Sequence, residues 1–172
     1  MLSHVLWGVL GSYALISYAE WYLHRNEMHH KGWLSRYEKS LFHNHQKVHH
    51  PTYHDDFETS SPPEHPEIGL TISTSRTLKY ISLPLLAVAY FLPVEACILL
   101  LMTVLHHRLW NMFHVEMHCP AQRWFAATPL FRFFCRYHMV HHKHWTKNMN
   151  IIAIGADHLL GTYQKPRTGA LV

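Results

Sequence analysis

The 172-residue sequence is poor in the residues that build disulfide frameworks, zinc ribbons and nucleic-acid-binding surfaces. Its three cysteines, Cys97, Cys119 and Cys135, are scattered and contain no C-x-x-C pair, which predicts reduced thiols in a cytosol-like compartment. Lys and Arg give a net charge of +4 and a pI near 9, but they form no run and no basic–aromatic ladder. Nucleic acid is therefore not expected as a partner, and the basic balance fits an anionic membrane surface better.

Basic residues are also missing from the N-terminal segment. Residues 1–23 contain no Lys or Arg and a single acid, Glu20. About 20 apolar residues cross the hydrocarbon core of a bilayer. No basic leader region or small-residue cleavage site accompanies them, which predicts a retained transmembrane helix and not a signal peptide. Because all fifteen Lys and Arg residues lie at or after Arg25, the positive-inside rule predicts an outside N-terminus and a cytoplasmic location for the chain after His24.

A second apolar stretch, residues 78–105, is broken by two prolines and carries Glu95. A single crossing would separate the histidines that precede it from those that follow it, whereas a helical hairpin turning near Leu92 and Pro93 returns the chain to one face. We therefore predict a hairpin, with a plain second crossing as the alternative. Arms of about 14 residues would span about 21 Å each, short of the ~30 Å core, which predicts a re-entrant hairpin or arms that extend beyond the bilayer.

Histidine is the residue in excess: there are 19, more than the 15 Lys and Arg or the 11 Asp and Glu. Ten of them form four groups with related spacings. The groups are His24-x4-His29, His45-x3-His49-His50, His114-x3-His118 and His138-x2-His141-His142. Residues three or four apart share one face of a helix, so the members of the last three groups are expected to converge. Adjacent histidines diverge by about 100° on a helix, so each doublet is expected to divide between two neighbouring metal ions.

Ten imidazoles supply about five ligands to each of two ions, more than the four of a closed tetrahedral zinc site. This number suits a five- or six-coordinate transition metal with a position left for water, dioxygen or substrate. Iron, zinc and copper all accept imidazole, so the ligand type leaves the metal open. Ligating histidines usually donate their second N–H to an acceptor, and four nearby side chains are candidates for that role. These are Glu20, Asn111, Glu116 and Asp157.

The motifs together resemble those of the fatty acid hydroxylase/sterol desaturase superfamily of integral-membrane, histidine-rich oxygenases. The resemblance covers residues 18–163 and involves all four histidine groups. The similar segments are "EWYLHRNEMH", "HQKVHHPTYHDD", the Pro-rich "SSPPEHP", "HVEMH", "YHMVHH" and the tail "GADHLLGTY". Asn111 stands where the family often has Asp, which is a departure from its pattern.

The resemblance implies an all-α integral membrane protein. One N-terminal transmembrane helix and a membrane hairpin would carry a cytosolic helical cap, formed by residues 24–77 and 106–172 of a single domain, with a His-rich dinuclear metal site. By the same resemblance the ten histidines hold two iron ions, with zinc as a substitute in isolated protein. The short chain leaves homodimerisation open.

The activity that the resemblance implies is dioxygen-dependent hydroxylation or desaturation of a membrane lipid, of fatty-acyl or sterol type. No catalytic residue is expected beyond the metal ligands. No haem domain is fused to the chain, so electrons are expected from a separate ferredoxin- or cytochrome b5-like donor. A carotenoid ring hydroxylase is an alternative with similar motifs. A non-catalytic metal-binding protein or metal carrier is an alternative of another class, which the scarcity of polar ligands in the apolar segments disfavours.

A lipid substrate would enter through an apolar channel between the first helix and the hairpin. Eight aromatic residues are candidates for its lining, although such residues more often serve packing or a membrane belt. They are Trp7, Trp21, Phe91, Trp110, Phe113, Trp124, Phe125 and Phe131.

Overall fold

The computed structural model describes residues 2–54, 57 and 70–166, and every regular element among them is helical. The predicted all-α class is therefore confirmed for this part of the chain, whereas the Pro-rich loop "SSPPEHP" lies outside the described residues. The elements are α1 (Leu2–Tyr22), which continues into a first π-helical segment (Leu23–Met28), α2 (Trp33–Tyr37), α3 (Lys39–Phe42), which continues into a second π-helical segment (His43–His49), α4 (His50–Thr52), α5 (Thr74–Phe91), α6 (Pro93–His118), a 3-10 turn (Trp124–Ala127), α7 (Pro129–Lys143) and α8 (Gly155–Leu159).

Helices α5 and α6 form an antiparallel hairpin that reverses at Leu92, as the sequence predicts. Leu92 leaves the helical region at φ −137° and ψ 68°, and α6 restarts at Pro93, where the missing N–H is not needed. Thr77 Oγ1 and His107 Nδ1, 3.0 Å apart, join the start of α5 to α6.

The predicted arm length of about 14 residues is wrong, because the arms contain 18 and 26 residues. Helix α5 begins before the apolar stretch, and α6 runs without interruption past residue 105 through His114 and His118. At 1.5 Å per residue the arms are about 27 Å and 39 Å long. The second arm therefore connects the apolar half of the molecule directly to the histidines.

Helix α1 packs closely against α6. A Cβ atom on Gly8 would lie 2.6 Å from Ile98 Cδ1, so a larger residue here would require the Ile98 side chain to move. Further along, Ile16 packs with Leu99 of α6. A separate aromatic core joins α6 to α7, and its buried members are Trp110, Phe113, Met117, Phe125, Phe131, Cys135 and Ile151.

Two helical stretches, Leu2–Met28 and Pro93–His118, are long and apolar enough to cross a membrane. Much of the outer surface of α1 is apolar and exposed, including Leu2, Leu6 and Trp7. Length, composition and this exposed surface are consistent with the predicted membrane location. The orientation of the N-terminus stays a prediction.

Candidate metal centre

The structure brings nine of the ten spaced histidines together in two adjacent groups, and the tenth adjoins one of them. One ligand nitrogen from each member of a group lies within 4.8 Å of the others, and the described chain contains two such clusters. The five-histidine group consists of His24, His29, His45, His50 and His141. The four-histidine group consists of His49, His118, His138 and His142. His114 adjoins the second group, since its Nε2 lies 3.1 Å from Nε2 of His138.

Both π-helical segments place histidines five residues apart in the same group. The backbone N–H of His29 donates to the carbonyl of His24 at 3.1 Å, and the N–H of His50 donates to the carbonyl of His45. These i to i+5 hydrogen bonds define a π-helix and bring the bonded residues onto one face. An α-helix would place the first histidine pair, with its x4 spacing, on different faces. The π-helix instead brings both rings to the same group.

The second π-helical segment also corrects one expectation. His45 and His49, four residues apart, were expected to converge, but they fall in different groups because the helix here repeats at five residues. Their rings remain neighbours, with centroids 5.0 Å apart. In α7, which is α-helical, His138 and His142 share a group, but the expectation that His141 would converge with them is wrong, because His141 belongs to the five-histidine group.

Each histidine doublet is divided between the groups. His49 and His142 belong to the four-histidine group, whereas His50 and His141 belong to the five-histidine group. The rings of His50 and His142 stack with centroids 4.5 Å apart, so the two groups share a common wall. This division follows from the ~100° rotation between adjacent helical residues.

Four of the imidazoles are oriented by backbone carbonyl oxygens. Since a carbonyl only accepts, the Nδ1 atom of each ring must carry the proton, and Nε2 then presents a lone pair to the group. The pairs are His24 with Met149, His114 with Leu70 at 2.9 Å, His118 with Phe57 at 2.8 Å and His141 with Lys147 at 2.9 Å.

These lone pairs cannot all be satisfied within the protein. Nε2 of His114 and Nε2 of His118 each lie 3.1 Å from Nε2 of His138, which can supply at most one N–H. Nδ1 of His138 is buried without a hydrogen-bond partner among the described residues. A buried cation that accepts several nitrogen lone pairs resolves this conflict, so the side chains fit a metal ion.

The spacing of the nitrogen atoms also matches metal coordination. Neighbouring Nε2 atoms lie 2.8 to 3.2 Å apart throughout the two groups. Two nitrogens about 2.1 Å from an ion lie about 3.0 Å apart at a 90° angle and about 3.4 Å apart at a tetrahedral angle. The observed spacing fits nitrogens that bind one ion.

Burial holds the histidines in the neutral form that binds metals. Loss of hydration lowers the pKa of His29 to about 2 and that of His50 to about 2, with repulsion from neighbouring imidazoles as the further cause. The same two causes lower the pKa of His45, His49 and His138 far below the usual range. At neutral pH these rings need lose no proton before they coordinate an ion.

Two of the predicted acceptor side chains act through a loop and not on a ligand ring. Glu20 accepts from the backbone N–H groups of Ile151 and Ala153, at 2.7 and 3.1 Å. Asp157 accepts from the N–H of Met149 at 2.9 Å and from the hydroxyl of Tyr137 at 2.6 Å. Asp157 thereby fixes the segment whose carbonyls orient His24 and His141, and Glu20 fixes the residues that follow it.

The other two candidates do not contact a member of either group among the described residues. Asn111 Oδ1 accepts from the N–H of Ile72 at 2.8 Å and its Nδ2 donates to the Ile72 carbonyl at 2.9 Å, so it holds the chain beside the Leu70 carbonyl. Glu116 bonds the N–H groups of Ala121 and Arg123 and the Arg123 guanidinium. Direct contact of the four predicted side chains with the ligands is therefore wrong, and backbone carbonyls take that place.

A cavity of about 190 Å³ lies between α1, α5 and α6 and extends to His24 of the five-histidine group. Its walls are mainly apolar, with Ile16, Ala19 and Leu99 among them, and they also include ionisable side chains such as Glu20 and Arg76. The sequence predicted a channel at this place, but it did not predict the residues that line it. Of the eight aromatic candidates only Trp110 lines the cavity, while the others pack in the cores or lie exposed.

Sequence reasoning missed the residues that orient the ligands from the backbone. The segment of residues 147–149 supplies two carbonyls, and Asn148 shapes it by adopting a positive φ of 51°. The Asn148 side chain donates to the carbonyls of Tyr137 and Gln164, each at 3.0 Å. Asparagine tolerates left-handed backbone, which was the available signal in "KNMN".

Comparison with protein-family models, with curated proteins and with solved structures finds no match for this chain. The functional interpretation therefore depends on the geometry of the site and on the motif resemblance. The described residues form a helical protein with two buried histidine groups that could hold metal ions.

Proposed function

We propose that the protein is an integral-membrane oxygenase that hydroxylates or desaturates a fatty-acyl or sterol-type lipid. The observation that carries this proposal is the juxtaposition of an aliphatic cavity with the five-histidine group at His24. An unactivated C–H bond offers no polarised atom for acid–base chemistry, so a redox metal and dioxygen are needed. A cavity between helices long enough to cross a membrane would present a lipid C–H bond to the metal site.

The ten histidines would hold two iron ions in the active form, five in the first group and four with His114 in the second. When bound, the metals supply the redox chemistry for dioxygen and the C–H bond. The protein orients the ligands through the carbonyls described above and excludes water by burying nine of the ten imidazoles. Aliphatic side chains such as Ile16 and Leu99 would align the lipid chain along the cavity.

The apolar surface of α1 and the α5–α6 hairpin would lie in the bilayer. By the positive-inside rule, the distribution of basic residues supports a cytoplasmic location for the histidine groups and an outside N-terminus. A lipid already present in the membrane could reach the cavity without crossing water. Reducing equivalents would come from a separate one-electron carrier in the cytoplasm.

A metal carrier is less well supported by the apolar helices. Glu95 pairs with His4 at 2.6 Å near the end of α6 that is remote from the histidine groups. Nineteen residues separate Glu95 from His114, about 28 Å along a helix. A transport path would need polar ligands along that distance, whereas this stretch of α6 is mainly aliphatic up to Thr103.

The decisive experiment is lipid mass spectrometry on cells that express the protein together with a redox partner. We expect one or more oxidised lipids that are absent when both His49 and His50 are replaced by Ala. The matched control is His43→Ala, because His43 is an exposed histidine on the same π-helical segment outside both groups. Metal-loaded protein that forms no oxidised lipid with dioxygen and electrons supplied would refute the proposal. A carotenoid-producing host distinguishes the carotenoid alternative.

A second experiment fills the cavity. Ala19 lines it, so Ala19→Phe should abolish lipid oxidation while the metal content stays that of the wild type. Ala14→Phe places the same bulk on the exposed side of α1 and should leave activity unchanged. Equal loss of activity in both variants would show that the cavity has no special role.

A further inference from the structure

An exposed indole contacts the buried metal centre from the surface. Trp145 follows α7, and 48% of its surface is exposed. Its ring centroid lies 5.9 Å from that of His29, a member of the five-histidine group, and 6.2 Å from that of His30. A large exposed aromatic residue is costly to leave in water and is favoured at protein interfaces. Here it also forms a direct contact between the surface and a candidate ligand ring.

Exposed lysines lie near this indole in the chain, and one of them follows a residue that the indole contacts. Lys143 is two residues away, and Lys31 follows His30, which the indole contacts. Lys31 and Lys47 both extend over the ring of Phe42, with their Nζ atoms 5.6 and 5.9 Å from its centroid. We define the Trp145 patch as Trp145, Lys31, Lys47 and Lys143.

Acidic side chains do not offset these lysines within the described residues. All six carboxylates there are buried or half-buried, whereas eleven of the fourteen Lys and Arg side chains are exposed. Glu27, the acid next to the patch in sequence, is 0% exposed and accepts from the backbone N–H of Ser35 at 2.8 Å. Among the residues that the structure describes, the patch therefore combines an exposed aromatic side chain with lysines that no exposed carboxylate offsets.

We infer that the Trp145 patch is the docking site of a soluble one-electron carrier with an acidic surface, and that Trp145 provides the contact between carrier and His29. This inference depends on the proposed function. The patch lies beyond the end of α1, on segments that bear the histidines, so a soluble partner fits it better than a bilayer. Opposite charges steer such encounters and a central aromatic residue anchors them.

The electron balance requires such a partner. Hydroxylation of a C–H bond by dioxygen consumes two electrons and two protons and yields an alcohol and one water molecule; desaturation consumes the same two electrons and two protons and yields an alkene and two water molecules. Each carrier molecule is oxidised by one electron, so two dockings serve one turnover. A site that admits a carrier repeatedly must bind it transiently, which suits a small patch of charges around one aromatic side chain.

The docking test uses the full chain in detergent micelles without metal, titrated with two probes, an acidic plant-type [2Fe–2S] ferredoxin and the acidic haem domain of a cytochrome b5. We expect one of them to bind, with an affinity that falls as salt rises. Replacing Lys31, Lys47 and Lys143 by Glu should weaken that binding about tenfold or more. The control replaces Arg108, Arg132 and Lys165, exposed cations elsewhere, by Glu and should bind as the wild type. Equal weakening in both triple variants, or no binding of either probe, overturns the inference.

The indole is tested by electron transfer in metal-loaded protein. Trp145→Leu should slow reoxidation of the reduced carrier about tenfold or more, while reduction by dithionite, which needs no docking, stays unchanged. Product formed at the wild-type rate by both patch variants refutes the docking site and leaves the oxygenase intact. Patch-dependent carrier oxidation without any lipid product refutes the oxygenase and leaves the docking site intact. If the lysine variant instead loses binding to phosphatidylserine vesicles and keeps carrier binding, the patch is a membrane contact and the inference is wrong.

Discussion

The two histidine groups use the same ligand type in different surroundings. The five-histidine group meets the cavity at His24 and the exposed indole at His29, and it contains the half-buried His50. The four-histidine group is fully buried, and Tyr53 covers it with a ring centroid 4.3 Å from that of His118. Under the proposed function, the five-histidine group would meet substrate and electrons, and the four-histidine group would hold its ion away from both.

The groups are also oriented from different parts of the chain. Two rings of the five-histidine group donate to the segment of residues 147–149, which Asp157 holds. His114 and His118 donate to Leu70 and Phe57, and Asn111 holds the chain beside Leu70. Substitutions in the two supports should therefore affect the groups separately.

The largest expected effect is the pH dependence of the metal-free protein, where both groups act together. The folded-state pKa of His29 and of His50 is about 2, below the unfolded value of about 6.5, so the unfolded chain binds more protons as pH falls. Stability should be constant above about pH 7 and fall below pH 6.5 by about 1.4 kcal/mol per pH unit for each such histidine. Unfolding in detergent between pH 8 and 5 measures this slope, and a flat profile contradicts it.

His138→Ala and His29→Ala each test one of the two histidine groups. Nε2 of His138 lies next to the Nε2 atoms of three other imidazoles, so loss of the His138 ring should remove the metal of the four-histidine group. His29→Ala should remove the metal of the five-histidine group instead. Elemental analysis should give about half the wild-type metal in each single variant and almost none in the double variant. Complete loss in either single variant would mean that the groups do not bind independently.

Asp157→Asn should weaken one group only. The charged carboxylate accepts from Met149 and Asn150 N–H groups and from the hydroxyls of Tyr137 and Thr162, so its loss should release the carbonyls that orient His24 and His141. We expect metal affinity of the five-histidine group to fall about tenfold to a hundredfold, measured by competition with a chelator.

The matched control for this carboxylate is Glu116→Gln. Glu116 is equally buried, but its bonds go to the turn at Ala121 and Arg123. Its loss should lower stability and leave the affinity of both groups unchanged. An equal loss of affinity in the control would show a general loosening of the fold.

Asn111→Ala should give the smallest effect, and this effect should fall on the four-histidine group. Without its two hydrogen bonds to Ile72, the Leu70 carbonyl would hold His114 less firmly. We expect the affinity of the four-histidine group to fall severalfold, by about 1 kcal/mol, with no change in the five-histidine group. Chelator competition resolves the two steps, and a reversed assignment would contradict the separate supports.

The sequence was sufficient for the ten histidines, the division of the doublets and the reversal at Leu92. Those features depend on side-chain periodicity and on proline, which are local properties of the chain. Carbonyl acceptors such as those of Leu70 and Met149 have no side-chain signature, because any residue can supply them. Only the folded path of the chain brings them to a ring nitrogen.

Two misses have a simple geometric reason. Glu116 lies two residues from His114 and from His118, about 200° around an α-helix, so it faces away from the rings it was expected to hold. His24 and His29 would diverge by about 140° on an α-helix, and the apolar pattern gives no sign that the helix changes its hydrogen bonding there. The length of α6 was underestimated because its last three turns are polar and aromatic.

On the π-helical segments, a fourth residue between two histidines does not move them to different faces of the helix. A pair spaced x4 on a π-helix presents the same face as a pair spaced x3 on an α-helix, so one inserted residue can be absorbed between His24 and His29 without displacing either ring. Chains with three or four residues between these two histidines could therefore present the same pair of rings. A search pattern with fixed gaps would divide such chains into unrelated sets, and gaps of variable length at the two π-helical segments would reunite them.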